Sequence, residues 1–205
     1  MYVPPKHAVE VDEAWRIVEE AGAGLLVVAG PEGLRSVFVP VVVSRDRTVI
    51  RSHVARANGW WRSVGDGADV LALFLTASAY VSPSYYPSRF ENPNVVPTWN
   101  YVAAEIHGHA TLHDEPQWKS DQVLSVTEKF ESGREPMWRA EDLNDHYREQ
   151  QIRAIVGVEI VVKSIEGKAK MSQNRPDEDR LSVREHLAGR SLTERNTSRL
   201  MAPPE

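Results

Sequence analysis

Ala14, Trp15, Val18 and Ala21 recur at helical spacing behind Asp12, which predicts one short amphipathic helix stopped by Gly22. The period then changes. Val-rich runs from Leu25 to Ala29, Leu34 to Val43 and Thr48 to Ser52 are separated by Pro31-Glu32-Gly33 and Ser44-Arg45-Asp46-Arg47, the pattern of three antiparallel strands. Pro40 inside the second run predicts a bulge or an edge position, because proline donates nothing to a ladder. Ala57 to Val64 reads as a short helix, and the unbroken apolar run Val70 to Leu75 as a strand buried on both faces. Residues 82 to 98 hold Pro83, Pro87, Pro93, Pro97, Asn92, Asn94, Tyr85, Tyr86 and Phe90, a long irregular loop of the kind that carries function. A strand from Tyr101 to His113 follows, then helices near Pro116 to Phe130 and Asp142 to Ala154. Strands Val156 to Ile165 and about Lys168 to Met171 come next, and Asp177 to Leu187 reads as a last helix. The fold class is mostly β with peripheral helices, an antiparallel barrel dressed by helices.

At 205 residues the chain has room for one generous domain, which we expect over 1–190 with a flexible C-terminal tail over 191–205. Lys+Arg 24 against Asp+Glu 29 gives a net charge of −5, and no helix-turn-helix pattern is evident, so direct DNA binding is not expected. The absence of cysteine removes disulfides, Cys zinc sites, iron–sulfur clusters and thiolate nucleophiles. The longest apolar run, Val37 to Val43, is broken by Pro40, and residues 1–7 have no signal-peptide core, so a cytoplasmic protein without a membrane partner is expected.

Four clusters could carry chemistry. In Ser52-His53-Val54-Ala55-Arg56-Ala57-Asn58-Gly59-Trp60-Trp61, His53 ends a strand, and Arg56 and Asn58 open the next element, where free N–H groups and a guanidinium suit an anion. Without a ligand the same segment is a capped turn with a surface arginine. Val81 to Tyr86 places aromatics in a loop, where core packing is the simpler reading. Pro97-Thr98-Trp99-Asn100-Tyr101 presents a hydroxyl, an indole, an amide and a phenol in succession, the mixture that a planar cofactor needs. Gly167 to Arg175 alternates Lys168 and Lys170 on one strand face before a polar turn. No standard catalytic motif occurs. His107 and His109 share a strand face, a conceivable metal pair that lacks an evident third ligand.

Taken in order, His53 to Asn58, Ala79 to Tyr86, Val96-Pro97-Thr98-Trp99-Asn100-Tyr101, Ile155-Val156-Gly157 and Lys170-Met171-Ser172-Gln173-Asn174-Arg175 resemble the PaiB family across roughly residues 1–190. The resemblance implies a flavin-type split β-barrel with Greek-key-like antiparallel topology, a homodimer, FMN as cofactor, and a role as negative transcriptional regulator or flavin-dependent reductase. It also implies the cofactor-binding residues: His53, Arg56, Asn58, Trp61, Thr98, Trp99, Asn100, Lys170, Ser172 and Gln173. Arg56 and Lys170 would meet phosphate, and Trp61 and Trp99 would wall the ring. Gly59 stands where the family usually has proline, and Arg51-Ser52 precede His53 where glycine before the histidine is common. The family is also similar to the haem-dependent piperazate synthases, which cyclise N5-hydroxyornithine by forming an N–N bond. That alternative makes haem b the cofactor, a small molecule the substrate and His53 the axial iron ligand.

Overall fold

In the computed structural model, which describes residues 1–201, the first helix is α1, Val11–Ala21. Ala14, Trp15, Ile17 and Val18 form its buried stripe. A two-residue strand precedes it, β1 (Ala8–Val9), and β2 (Ala23–Gly30), β3 (Gly33–Pro40), β4 (Val42–Val43) and β5 (Val49–Ala55) follow. The long strands β6 (Ala68–Val81) and β7 (Thr98–His113) come next, then α2 (Pro116–Glu131), α3 (Asp145–Arg153), β8 (Ile155–Lys170), α4 (Asp177–Ala188) and α5 (Leu192–Leu200). The eight strands form one sheet of order β3-β2-β6-β7-β8-β5-β4, with β1 on β8. The pairings β1–β8, β2–β3, β2–β6, β4–β5 and β5–β8 are antiparallel. The path ends at β3 and β4 and is not closed.

The chain separates into two compact units. The first comprises residues 1–21, 74–105 and 166 onward, and its core includes Trp15, Phe74, Tyr86, Ile17 and Leu187. The second comprises residues 22–73 and 106–165, with Leu26, Val28, Ile50, Val54, Trp60, Ile106 and Ile160 inside. Among the described residues no helix is long and apolar enough to cross a membrane.

Several expectations need correction. The segment at 57–64 is no helix but two 3-10 turns, Arg56–Asn58 and Trp60–Ser63, hinged at Gly59 with φ +74°. Val70 to Leu75 belongs to a 14-residue strand buried on one face only: Val70, Ala72 and Phe74 point inward, whereas Leu75 is 53% exposed. The strands expected at 156–165 and 168–171 are one, because Gly167 is a place of close approach rather than a turn: a Cβ there would strike Val9 and Ala14. Pro40 does end an edge strand, and Val42 opens a separate strand that pairs with β5 rather than β2. The expected tail carries α5 from Leu192 to Leu200, opened by a capping box between Ser191 and Glu194, so Asp177–Ala188 is not the last helix. Residues 202–205 lie outside the described residues.

Candidate functional site

Alternation along β5 decides where His53 faces. Ile50, Ser52 and Val54 are buried, and the Ser52 hydroxyl donates to the Pro40 carbonyl at 2.7 Å, so Arg51, His53 and Ala55 take the opposite face. There Arg51 pairs with Glu159 directly across the strand at 2.8 Å, and His53 lies opposite Gly157. A Cβ on Gly157 would collide with Trp118, whose ring stacks on His113 at 4.3 Å. His53 lines a cavity of about 230 Å³ with Val123 and Leu124 of α2, Arg148 and Ile152 of α3, and Leu143 between them. Its Nδ1 is buried with no hydrogen-bond partner among the described residues. Burial lowers its pKa, so the ring is neutral at pH 7.

Arg56 is committed to the same unit. Its backbone N–H donates to the Ala154 carbonyl at 2.8 Å, Nε to the Arg153 carbonyl at 3.0 Å, and Nη2 to the Ile155 carbonyl at 3.1 Å and to Asp114. Asp114 also takes a hydrogen bond from buried Lys119 at 2.9 Å; that bond first, and then the one from Arg56, holds its pKa low. Arg56 therefore clamps the end of β5 to the junction of α3 and β8. Asn58 accepts from the Trp60 N–H at 3.2 Å, Trp61 donates to the Arg56 carbonyl at 2.9 Å, and the Arg62 guanidinium lies over the Trp61 ring. The left-handed Gly59 between them explains the departure from proline, whose ring fixes φ near −65°.

Thr98, Trp99, Asn100, Lys170, Ser172 and Gln173 all fall in the first unit. Thr98 to Asn100 open β7 and Lys170 ends β8. The Lys170 ammonium donates to the Thr98 hydroxyl and, at 2.8 Å, to the Trp99 carbonyl. Burial above all, then Lys168 and Lys6, lowers its pKa. Lys168 is itself buried, donating to the Tyr2 carbonyl at 2.9 Å and facing the Tyr101 ring. Trp99 is 50% exposed, with its indole N–H on the Ser78 hydroxyl at 2.8 Å and its plane edge-on to Tyr80.

Asn100 and Ser172 lie deeper in the same unit. Both are buried and bonded to each other at 3.0 Å, with the Asn100 amide also reaching the Met201 sulfur. They brace the turn after Lys170, where Ser172 has φ +61°. Gln173 accepts from the Met171 N–H at 2.7 Å, donates to the Ala169 carbonyl and meets His7 Nδ1 at 3.1 Å. His7 has its pKa lowered by burial and by Lys6, Lys168 and Lys170, against the Gln173 bond. Sequence reading left His7 without context and passed over Lys6, because neither stands in a motif. It missed Arg148 and the other cavity walls for the same reason. His109 bonds Asp69 at 3.0 Å beside Lys163, and no group of three His, Asp or Glu among the described residues could hold a metal.

The comparisons with known proteins agree on the fold and the family. The chain is 32% identical over 190 residues to the Bacillus subtilis "Protease synthase and sporulation protein PAI 2", covering 91% of this chain and 89% of that one. It superposes on the FAD and haem binding protein of Mycobacterium smegmatis with TM-score 0.61 at 14% identity, over 85% of this chain and 78% of that one. The flavocytochrome Anf3 of Azotobacter vinelandii gives TM-score 0.55 at 10% identity, over 83% and 72%. With residues 1–164 also matching the family described as "Putative FMN-binding domain", the chain belongs to that family, the PaiB family, with the FMN-binding split-barrel fold.

Proposed function

We propose that this chain holds FMN and works through it, as a flavin-dependent reductase or a flavin-responsive transcriptional regulator. Family membership supports the cofactor, and the observation that carries its placement is the partly desolvated ammonium of Lys170, grouped with Lys168 and Lys6 beside the exposed indole of Trp99. A dianionic phosphate offsets the mutual repulsion of such lysines, and charge-assisted bonds are about twice as strong as neutral ones. Lys170, Lys6 and Thr98 would hold the phosphate, Trp99 would offer an apolar plane, and Asn100 with Ser172 would keep Lys170 in position. Once bound, the isoalloxazine supplies one- and two-electron transfer.

Arg56, already bonded to three acceptors, is assigned to positioning the His53 segment rather than to phosphate. Haem fits less well. The His53 imidazole has the right donor chemistry, neutral with an unpartnered nitrogen, but its cavity of about 230 Å³ is far short of a porphyrin.

We assign the second copy of the dimer to the outer face of β3-β2-β6. There Phe38, Leu25 and Leu73 form one cross-strand row, and Val27 and Leu71 lie in the next row but one along β2. Phe38 is 70% exposed, and the outward positions Leu34, Ser36 and Phe38 of β3 carry no charge to oppose self-association.

The test is spectroscopic. Purified protein reconstituted with FMN should absorb near about 450 nm. Lys170→Gln should weaken FMN roughly tenfold while leaving riboflavin, which has no phosphate, unchanged. A protein that takes up neither flavin would overturn the reading.

A further inference from the structure

The second unit holds a cavity that FMN cannot account for. It measures about 230 Å³. A cavity of about 150 Å³ takes benzene, roughly 25 Å³ per non-hydrogen atom, so about nine such atoms fit, against about 31 in FMN. Its apolar wall comes from Val123, Leu124, Trp138, Leu143, Ile152 and Ile155. Four polar side chains break that wall, His53, Ser120, Arg148 and Gln151, and two of them have a buried nitrogen without a partner among the described residues: His53 through Nδ1 and Arg148 through Nε. Unpaired buried donors are costly, which makes them signs of a missing acceptor. The other ends of the Arg148 guanidinium are occupied, Nη1 by Asp145 at 3.2 Å and Nη2 by the Leu143 carbonyl at 3.0 Å, so the group is held in place with Nε left over.

We propose that this cavity is a binding site for a small apolar monocarboxylate of about nine non-hydrogen atoms, the size of benzoate. The ring or chain fills the aliphatic wall, and the carboxylate accepts from Arg148 Nε and from the His53 imidazole in its Nδ1–H tautomer. Charge selects the ligand. A cation of the same shape is repelled by the guanidinium, and a neutral alcohol accepts from the two donors without the negative charge that strengthens such bonds. The site lies wholly within the second unit, so it stands whether or not the chain binds FMN.

Calorimetric titration of the full-length protein with benzoate, benzyl alcohol and benzylammonium tests this. Benzoate should bind saturably, benzyl alcohol roughly tenfold or more weakly, and benzylammonium not at all. Arg148→Met should reduce benzoate affinity at least roughly tenfold while sparing benzyl alcohol. Asp145→Asn, which frees Nη1 but keeps Nε, should retain benzoate. A benzoate-dependent shift of the His53 imidazole resonance, identified by its loss in His53→Gln, places the ligand. No saturable benzoate binding by the wild-type chain, or equal affinities for the three probes, would refute the site. So would a folded Arg148→Met protein with unchanged benzoate affinity. If Arg148→Met does not fold, the ranking of the three probes on the wild-type protein decides.

Discussion

His53 and Gly157 face one another across β5 and β8, and each is explained by what lies above it. Burial lowers the folded-state pKa of His53 and of His7, so both rings bind protons more readily in the unfolded chain. Stability from keeping them neutral is fully present above the unfolded value near 6.5 and is lost as pH falls from there through the lower folded values. Thermal melts between pH 7.5 and 5.5 should show the midpoint dropping, with a shallower slope in His53→Gln; an unchanged slope would mean the ring is solvated. The carboxylates with lowered pKa, Asp46, Asp69, Asp114 and Glu194, act in a separate and more acidic window. Gly157→Ala should cost about 1–3 kcal/mol, the usual range for overpacking, because its methyl meets the Trp118 ring and no backbone strain is involved. Denaturant titration checks it, and restoration of stability in Gly157→Ala combined with Trp118→Leu identifies the ring as the cause.

At the scale of elements, polar residues appear where helical period alone suggests apolar ones. The sheet-facing side of α2 buries Lys119 and Gln122, with Lys119 held by Asp114. In the first unit the proline-rich segment after β6 is tied down rather than loose. Fully buried Asp179, in the first turn of α4, accepts from the Ser88 N–H at 3.1 Å and from its hydroxyl at 2.7 Å. Tyr85 stacks on His186 of the same helix at 4.5 Å. Asp179→Ala leaves the half-buried Ser88 N–H and hydroxyl without their acceptor and should cost about 1–3 kcal/mol. Proteolysis should then nick residues 82–98 well before the rest of the chain; uniform susceptibility would show that the tether does not hold the loop.

For the molecule as a whole, the apolar outer rows of the second unit predict association. Light scattering should give twice the chain mass. Phe38→Lys with Leu73→Lys should shift it to the monomer, since like charges would then face each other across a two-fold axis. A wild-type chain that is monomeric at every concentration would refute the assignment of this face.

The amphipathic stripe of α1, the valine-rich strands and the ordered clusters from His53 to Arg175 were legible without coordinates, because they depend on local period and on residue types close in sequence. The family followed from those clusters. Tertiary structure decided the rest. The break expected between Ile165 and Lys168 closed once β1 and α1 were seen to press on Gly167, and Asn100 and Ser172, distant in sequence, proved to be each other's buried partner. Arg56 was spent on carbonyls nearly a hundred residues away, and Arg148 entered a cavity with His53 from a helix that carries no motif. Side-chain type and local period are properties of neighbours along the chain, whereas burial, hydrogen-bond satisfaction and cavity shape depend on residues that only folding brings together.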